Sequence, residues 1–155
     1  MCIRDSGGAS RRLLGTFLTW LQEKKASVFV IATANDVSRL PPELMRKGRF
    51  DEIFFVDLPK LEARAQILKS HLERRQRDPA LFDVNALSAL SEGYSGAELE
   101  EAIIGALYNA FQEGVELNEL HVAAALRTTI PLSVTMREPI QALREWARGR
   151  TVSAD

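Results

Sequence analysis

Leu13, Leu14, Phe17, Leu18 and Leu21 recur at helical spacing and predict an amphipathic helix running to about Lys24. Gly7-Gly8-Ala9 reads as a flexible entry, with Ser10 as the helix N-cap. At Val28 the pattern changes. Residues 28–32 are continuously apolar, β-branched or aromatic, with no polar alternation. Such a run predicts a strand buried on both faces, the habit of parallel sheets inside α/β layers. Pro41-Pro42 then opens a short helix, since proline is tolerated in a first turn, and Gly48 closes it with a left-handed turn. Residues 53–56 predict a second buried strand, ended by Pro59.

From Lys60 onward every predicted element is helical. Leu61, Ala65, Leu68 and Leu72 mark one face of a long helix that runs into the charged segment 73–77. Ala86, Leu87 and Leu90 mark a shorter one. Ser95-Gly96-Ala97-Glu98 has the form of a capping box, with Tyr94 and Leu99 as its hydrophobic staple, and Leu99 to Phe111 keep the helical period unbroken. Asn118 caps a fourth helix that reaches about Arg127. Thr135 with Glu138 offers another capping box, opening a tail helix with Ile140, Leu143 and Trp146 on one face. The fold class these elements imply is an α/β fragment with two buried, parallel-type strands, then an all-α four-helix bundle, mainly helical overall. The organisation expected is residues 7–58 as the α/β piece, 59–130 as the bundle and 131–155 as a C-terminal extension.

Composition removes several functions from consideration. Apolar residues are 46% and charged residues 26%, ordinary for a globular protein, and a formal charge of -1 leaves no global field for nucleic acid or a membrane surface. No apolar run approaches the roughly 20 residues of a spanning helix. Cys2 is the single cysteine, so neither an intrachain disulfide nor a Cys-rich zinc site can form, and a reducing cytoplasm fits. Residues 1–6 lack the apolar core of a signal peptide and share no pattern with the helix after them, and are expected to be a non-native leader. A Gly-x-x-x-x-Gly-Lys-Ser/Thr loop does not occur in the 155 residues, so this sequence holds no backbone nest of that kind for a triphosphate.

A few side chains could carry chemistry. Asn35 comes just after the first predicted strand, where ligands bind in open α/β sheets. Its amide can hold a phosphate oxygen or orient a water; it can equally be a turn residue. Arg46 and Arg49 present planar forks matched to phosphate oxygens, while Arg46 with Lys47 also suits a helix C-terminal dipole. Asp57 ends an apolar strand as a Mg²⁺-holding aspartate does, but Leu58 stands where a catalytic glutamate is required, and the metal reading is rejected. His71 lies beside the apolar face of the first bundle helix, a position usual for a packed histidine; His121 reads as a solvated first-turn residue. The two histidines have no zinc-ligand spacing. Arg74-Arg75-Gln76-Arg77 reads as a solvated helix end without the aromatics that stack bases.

In this order the segments resemble the second half of an AAA (AAA+) ATPase module. Strand 28–34, Asn35, residues 41–51, strand 53–56, Leu58-Pro59 and the lid segment 93–99 carry the likeness, over about residues 9–130. It is nearest to the little-characterised AAA ATPases of cyanobacteria and algal plastids, on residues 11–24 and 131–136. The resemblance implies a truncated P-loop NTPase architecture in which Asn35 is the sensor-1 residue and Arg46 and Arg49 are arginine fingers for ATP in the adjacent subunit. His71, Gly96 and Ala97 fall where lids of related modules touch adenine and ribose. ATP and Mg²⁺ are the implied cofactors, held mainly by an N-terminal half that carries the phosphate loop. A homo-oligomer, a hexameric ring acting on an unidentified protein client in the cytoplasm or plastid stroma, is the implied assembly, with no nucleic acid or membrane partner. No sensor-2 arginine is evident at Gly96-Ala97. In the family's sheet order the phosphate-loop strand lies between the two strands retained here, so uncovered apolar faces and open strand edges are expected. The alternative reading is a naturally short, non-catalytic AAA-derived module that docks on a complete ATPase or donates Arg46 and Arg49 to it.

Overall fold

In the computed structural model, residues 7–34, 36, 41–45 and 48–154 are described. They divide into two compact units, with the division falling between Ile53 and Phe54. The leader expected at residues 1–6, together with Asn35, Arg46 and Lys47, lies outside the described residues.

In the N-terminal unit, helix α1 spans Gly7–Glu23. It starts a turn earlier than the sequence predicts, so Ser10 sits inside the helix and not at its cap, a difference that nothing in the described residues explains. Leu21 is its buried anchor, while Phe17 and Trp20 stack with ring centroids 5.9 Å apart. The Lys24 ammonium lies 5.9 Å from the centre of the Trp20 ring and donates to the Val28 carbonyl at 3.3 Å. The strand predicted at residues 28–32 does not form: Phe29 is 91% and Ile31 77% exposed, and residues 26–34 hold no regular structure. A strand is held by its ladder partners, and none of the described residues supplies one here. The apolar side chains of Phe29 and Ile31 are uncovered, but no strand is there to carry them. A 3₁₀ turn, Pro42–Met45, comes next, and Gly48 takes the left-handed conformation at φ +90°, as the sequence predicts.

The C-terminal unit begins with strand β1, Phe54–Phe55. Helices α2 (Leu61–Arg74), α3 (Val84–Leu90), α4 (Gly96–Glu113) and α5 (Glu119–Thr128) form the four-helix bundle, with a 3₁₀ turn at Pro79–Leu81 between α2 and α3. Helix α4 packs along α5 and α2, and α3 packs against α2 and α5. Leu68, Leu72, Leu87, Leu99, Ile103, Ala106 and Val122 fill the core, the positions that the 3.6-residue period selects. The starts of the helices are closed by side chains: Asp83 accepts from the Ala86 N–H, and Ser95 with Glu98 completes the capping box. Gly114, at φ +69°, ends α4. Ser95→Ala should lower bundle stability by about 0.5–2 kcal/mol, read as a shift of the urea midpoint without a change of slope.

Several expectations change in this unit. The second strand is two residues long and lies open, with Phe54 and Val56 exposed; among the described residues it pairs only with β2, Val152–Ser153, in parallel register, Phe54 opposite Val152 and Phe55 opposite Ser153. The Thr135–Glu138 capping box is absent, because residues Leu132–Thr135 form their own short helix α6 and the Thr135 hydroxyl donates back to the Leu132 carbonyl. Helix α7, Arg137–Ala147, therefore starts from Met136 without a side-chain cap. His121 is not solvated: its Nδ1 accepts the Asn118 N–H at 3.2 Å, which makes it the N3 member of a capping box with Asn118, and its Nε2 lies 3.1 Å from Glu113. None of the described helices is long and apolar enough to cross a membrane.

Candidate functional site

The face of the bundle that carries His71 and Gly96 is built by α2 and the first turns of α4. Ile67 and His71 stand one turn apart on α2, and Gly96 opens α4 opposite them. A Cβ built on Gly96 would meet only the Ile67 side chain, at an ordinary 3.7 Å. Packing within this unit therefore does not require glycine there, and the position stays open to a close approach. The first N–H groups of a helix have no intrahelical acceptor. Ser95 takes the one on Glu98, which leaves those of Gly96 and Ala97 as the first-turn donors.

His71 is the hub of a polar cluster. Its side chain is 12% exposed, and Nδ1 lies 3.4 Å from the Arg75 guanidinium and 3.5 Å from Glu100. Arg75 donates to Glu100 at 2.8 Å, and this bond, with the nearby charges of His71 and the arginines, holds the Glu100 carboxyl below its ordinary range. The run 74–77 is thus not simply solvated, since Arg77 also pairs with Glu116 at 2.6 Å. The structure brings His71, Gly96 and Ala97 into one neighbourhood, joined through Glu100 one turn beyond Gly96. Sequence reasoning missed Arg75 and Glu100. The signal available for Arg75 was its position four residues after His71 on one helix face.

Arg49 belongs to the other unit. It stands directly after the left-handed Gly48, is half-buried, and donates from one terminal nitrogen to the Glu43 carbonyl of the preceding 3₁₀ turn. That contact sets the stem of the side chain while four of the five guanidinium donors stay outside it.

The link from β1 to the bundle is also held by arginines. Arg64 is buried and donates to the Pro59 carbonyl at 2.9 Å and the Ser88 carbonyl at 3.1 Å. Asp57 accepts a two-toothed bond from Arg144 of α7, at 2.8 Å and 2.9 Å, and the Leu58 N–H at 2.7 Å. Burial alone would raise the Asp57 pKa; the Arg144 fork, the Leu58 N–H and the arginine's charge outweigh it and keep the value below its ordinary 3.8. Since the folded pKa lies under the unfolded one, the pair's contribution is complete above about pH 4 and is lost as pH falls through the folded value. The stability gap between wild type and Arg144→Gln, about 1 kcal/mol or less for so exposed a pair, should hold at near-neutral pH and close at the acid end. Urea melts across that range check it.

The profile of the ATPase family associated with various cellular activities (AAA) matches residues 2–58, the stretch that includes Asn35, Arg46 and Arg49. The chain is thus similar to AAA-family proteins, by profile over residues 2–58 and by sequence identity over most of its length. It is 48% identical, over 145 residues, to an uncharacterised AAA domain-containing protein, ycf46, of Pyropia yezoensis, covering 93% of this chain and 30% of that protein. A protein of the same description from Gracilaria tenuistipitata var. liui is 50% identical over 141 residues, 90% of this chain and 29% of the relative. The proteasome-activating nucleotidase of Aeropyrum pernix is 40% identical over 88 residues, 57% of this chain and 21% of its own. The chain thus spans under a third of the length of these curated relatives.

Proposed function

We propose that these 155 residues are the C-terminal half of an AAA module within a ring-forming, Mg²⁺-dependent ATPase that remodels a protein client. In this reading, Asn35 is the sensor that orients water and phosphate. Arg46 and Arg49 reach nucleotide held by the neighbouring subunit, and His71, Gly96 and Ala97 face adenine and ribose. The residues fit such a ligand. Gly96 opens a helix where nothing internal needs a glycine, the first-turn N–H groups suit electronegative atoms, and Arg49 presents a rigid fork matched to phosphate oxygens. ATP and Mg²⁺ would be held mainly by sequence outside this chain, where the metal would supply positive charge against the phosphates. What this chain contributes is positive charge placed in trans, and a lid whose closure excludes water.

The observation that carries the reading is the AAA match across residues 2–58, with Asn35, Arg46 and Arg49 in one short stretch and in that order. The test compares the intact protein with the 155-residue chain. The intact protein should hydrolyse ATP in a Mg²⁺-dependent way, and the short chain should not. Stoichiometric binding and cleavage of ATP by the short chain as a monomer would overturn the reading.

A further inference from the structure

The C-terminal extension has no role in the proposed ATPase function, yet it is held at both ends. At the bundle end, the Tyr94 hydroxyl donates to the Thr129 carbonyl at 2.6 Å and also contacts the Leu126 carbonyl, fixing where the chain leaves α5. The Ser133 N–H then donates to the Gly93 carbonyl at 3.3 Å. Gly93 has φ +79°, and a Cβ there would collide with the Ser133 hydroxyl, so the extension occupies the space that the missing side chain leaves. This seat lies two residues before Ser95, the cap of the α4 turn that carries Gly96 and Ala97.

At the other end, Arg144 grips Asp57 with two guanidinium nitrogens. Beyond α7, Val152–Ser153 adds a parallel strand to Phe54–Phe55, and the Ala154 N–H donates to the Phe55 carbonyl at 3.1 Å. Between the two anchors lies the covalent link from β1 to α2, Leu58-Pro59, whose Pro59 carbonyl is held from the bundle side by Arg64. The link therefore has a second, non-covalent bridge running parallel to it. A single covalent link leaves two rigid bodies free to rotate, whereas a second attachment removes most of that freedom.

We propose that residues 131–154 form a strap that bridges the Leu58-Pro59 link, fixing the angle between strand β1 and the helical bundle and joining the Gly93–Ser95 turn mechanically to Asp57. The Asp57–Arg144 pair is its clasp. It is charge-assisted and two-toothed but partly solvated, strong enough to order the strap and weak enough to open. This inference stands on contacts within the C-terminal unit and does not depend on the ATPase reading.

The experiment measures the distance between spin labels on the full chain. Cys2 is replaced by serine, and labels are placed at Val56→Cys beside β1 and at Leu120→Cys on α5, both exposed positions. With the strap in place, the distance distribution should be narrow. Arg144→Gln, Asp57→Asn and removal of residues 151–155 should each broaden it several-fold, with the bundle's melting transition retained. The exchanged pair Asp57→Arg with Arg144→Asp should narrow it again, and Arg148→Ala, exposed and just beyond α7, should leave it unchanged. A broad distribution in the unaltered strap, or one that stays narrow when the clasp and the terminal strand are both removed, would overturn the proposal.

Discussion

Arg49→Ala in the intact protein is expected to lower ATP turnover by about 10³-fold or more while leaving ATP affinity nearly unchanged. A guanidinium supplied to a transferring phosphoryl group acts on charge that develops in the transition state, and such residues are worth about 10³ to 10⁵ in rate. Steady-state hydrolysis alongside equilibrium binding of a fluorescent ATP analogue separates the two effects. In the structure the side chain donates to the Glu43 carbonyl, so alanine also removes a local tie. Arg49→Lys is the informative companion. It keeps a positive charge but loses the planar fork, and should recover little of the lost rate if two-toothed geometry is what counts. Wild-type turnover in Arg49→Ala would remove Arg49 from the catalytic machinery, whereas wild-type turnover in Arg49→Lys would show that charge alone is what counts.

Ile103→Ala is expected to have the largest effect on stability. Ile103 is completely buried at the centre of α4, and truncating such a side chain costs about 2–5 kcal/mol through lost burial and the cavity left behind. Against a total of about 5–15 kcal/mol for a domain, that is enough to bring the bundle close to unfolding at 37 °C. Phe111→Ala on the same helix serves as the contrast. Phe111 is 83% exposed, and its loss should shift stability by no more than about 0.5 kcal/mol. Urea denaturation followed by circular dichroism gives both values. Equal effects would mean that α4 is not packed as described.

The bundle was legible because its signals are local. Ser95 and Glu98 are three residues apart, and the apolar face of α4 repeats every three to four residues. Each could be read without knowing what lies elsewhere in the chain. The Asn118 cap was equally visible, but its box was hidden because histidine stands where glutamate or glutamine is usual. Strands gave no comparable warrant. Residues 28–32 have the composition of a buried strand, yet composition cannot supply a partner, and among the described residues no strand pairs with them. The partner β1 does have, Val152–Ser153, lies about a hundred positions away in a segment without strand character, and Asp57 finds Arg144 87 residues along the chain. Such pairings depend on where the tail returns, which no local pattern encodes.

The candidate site divides along the same line. His71, Gly96 and Ala97 were chosen through the family resemblance, and the structure adds the reason they share a neighbourhood: α2 and α4 pack with Ile67 beside Gly96 and His71 beside Glu100. Arg75 and Glu100, which hold that arrangement, are ordinary surface charges in sequence. Arg49 was singled out, with Arg46, by residue type and by the family resemblance, and its contact with Glu43 results from the tight turn between them.

If Arg46 and Arg49 serve nucleotide bound by another protomer, mixed rings reveal it most directly. Two variants of the intact protein are prepared, one with Arg46 and Arg49 both replaced by alanine, the other with the phosphate-loop lysine replaced. Each alone should be nearly inactive. Mixed in equal amounts and allowed to exchange subunits, they should regain ATP hydrolysis, because a protomer with an intact phosphate loop then sits beside one with intact arginines. Hydrolysis no greater than the sum of the two separate variants, in rings shown to have exchanged, would contradict a role in trans.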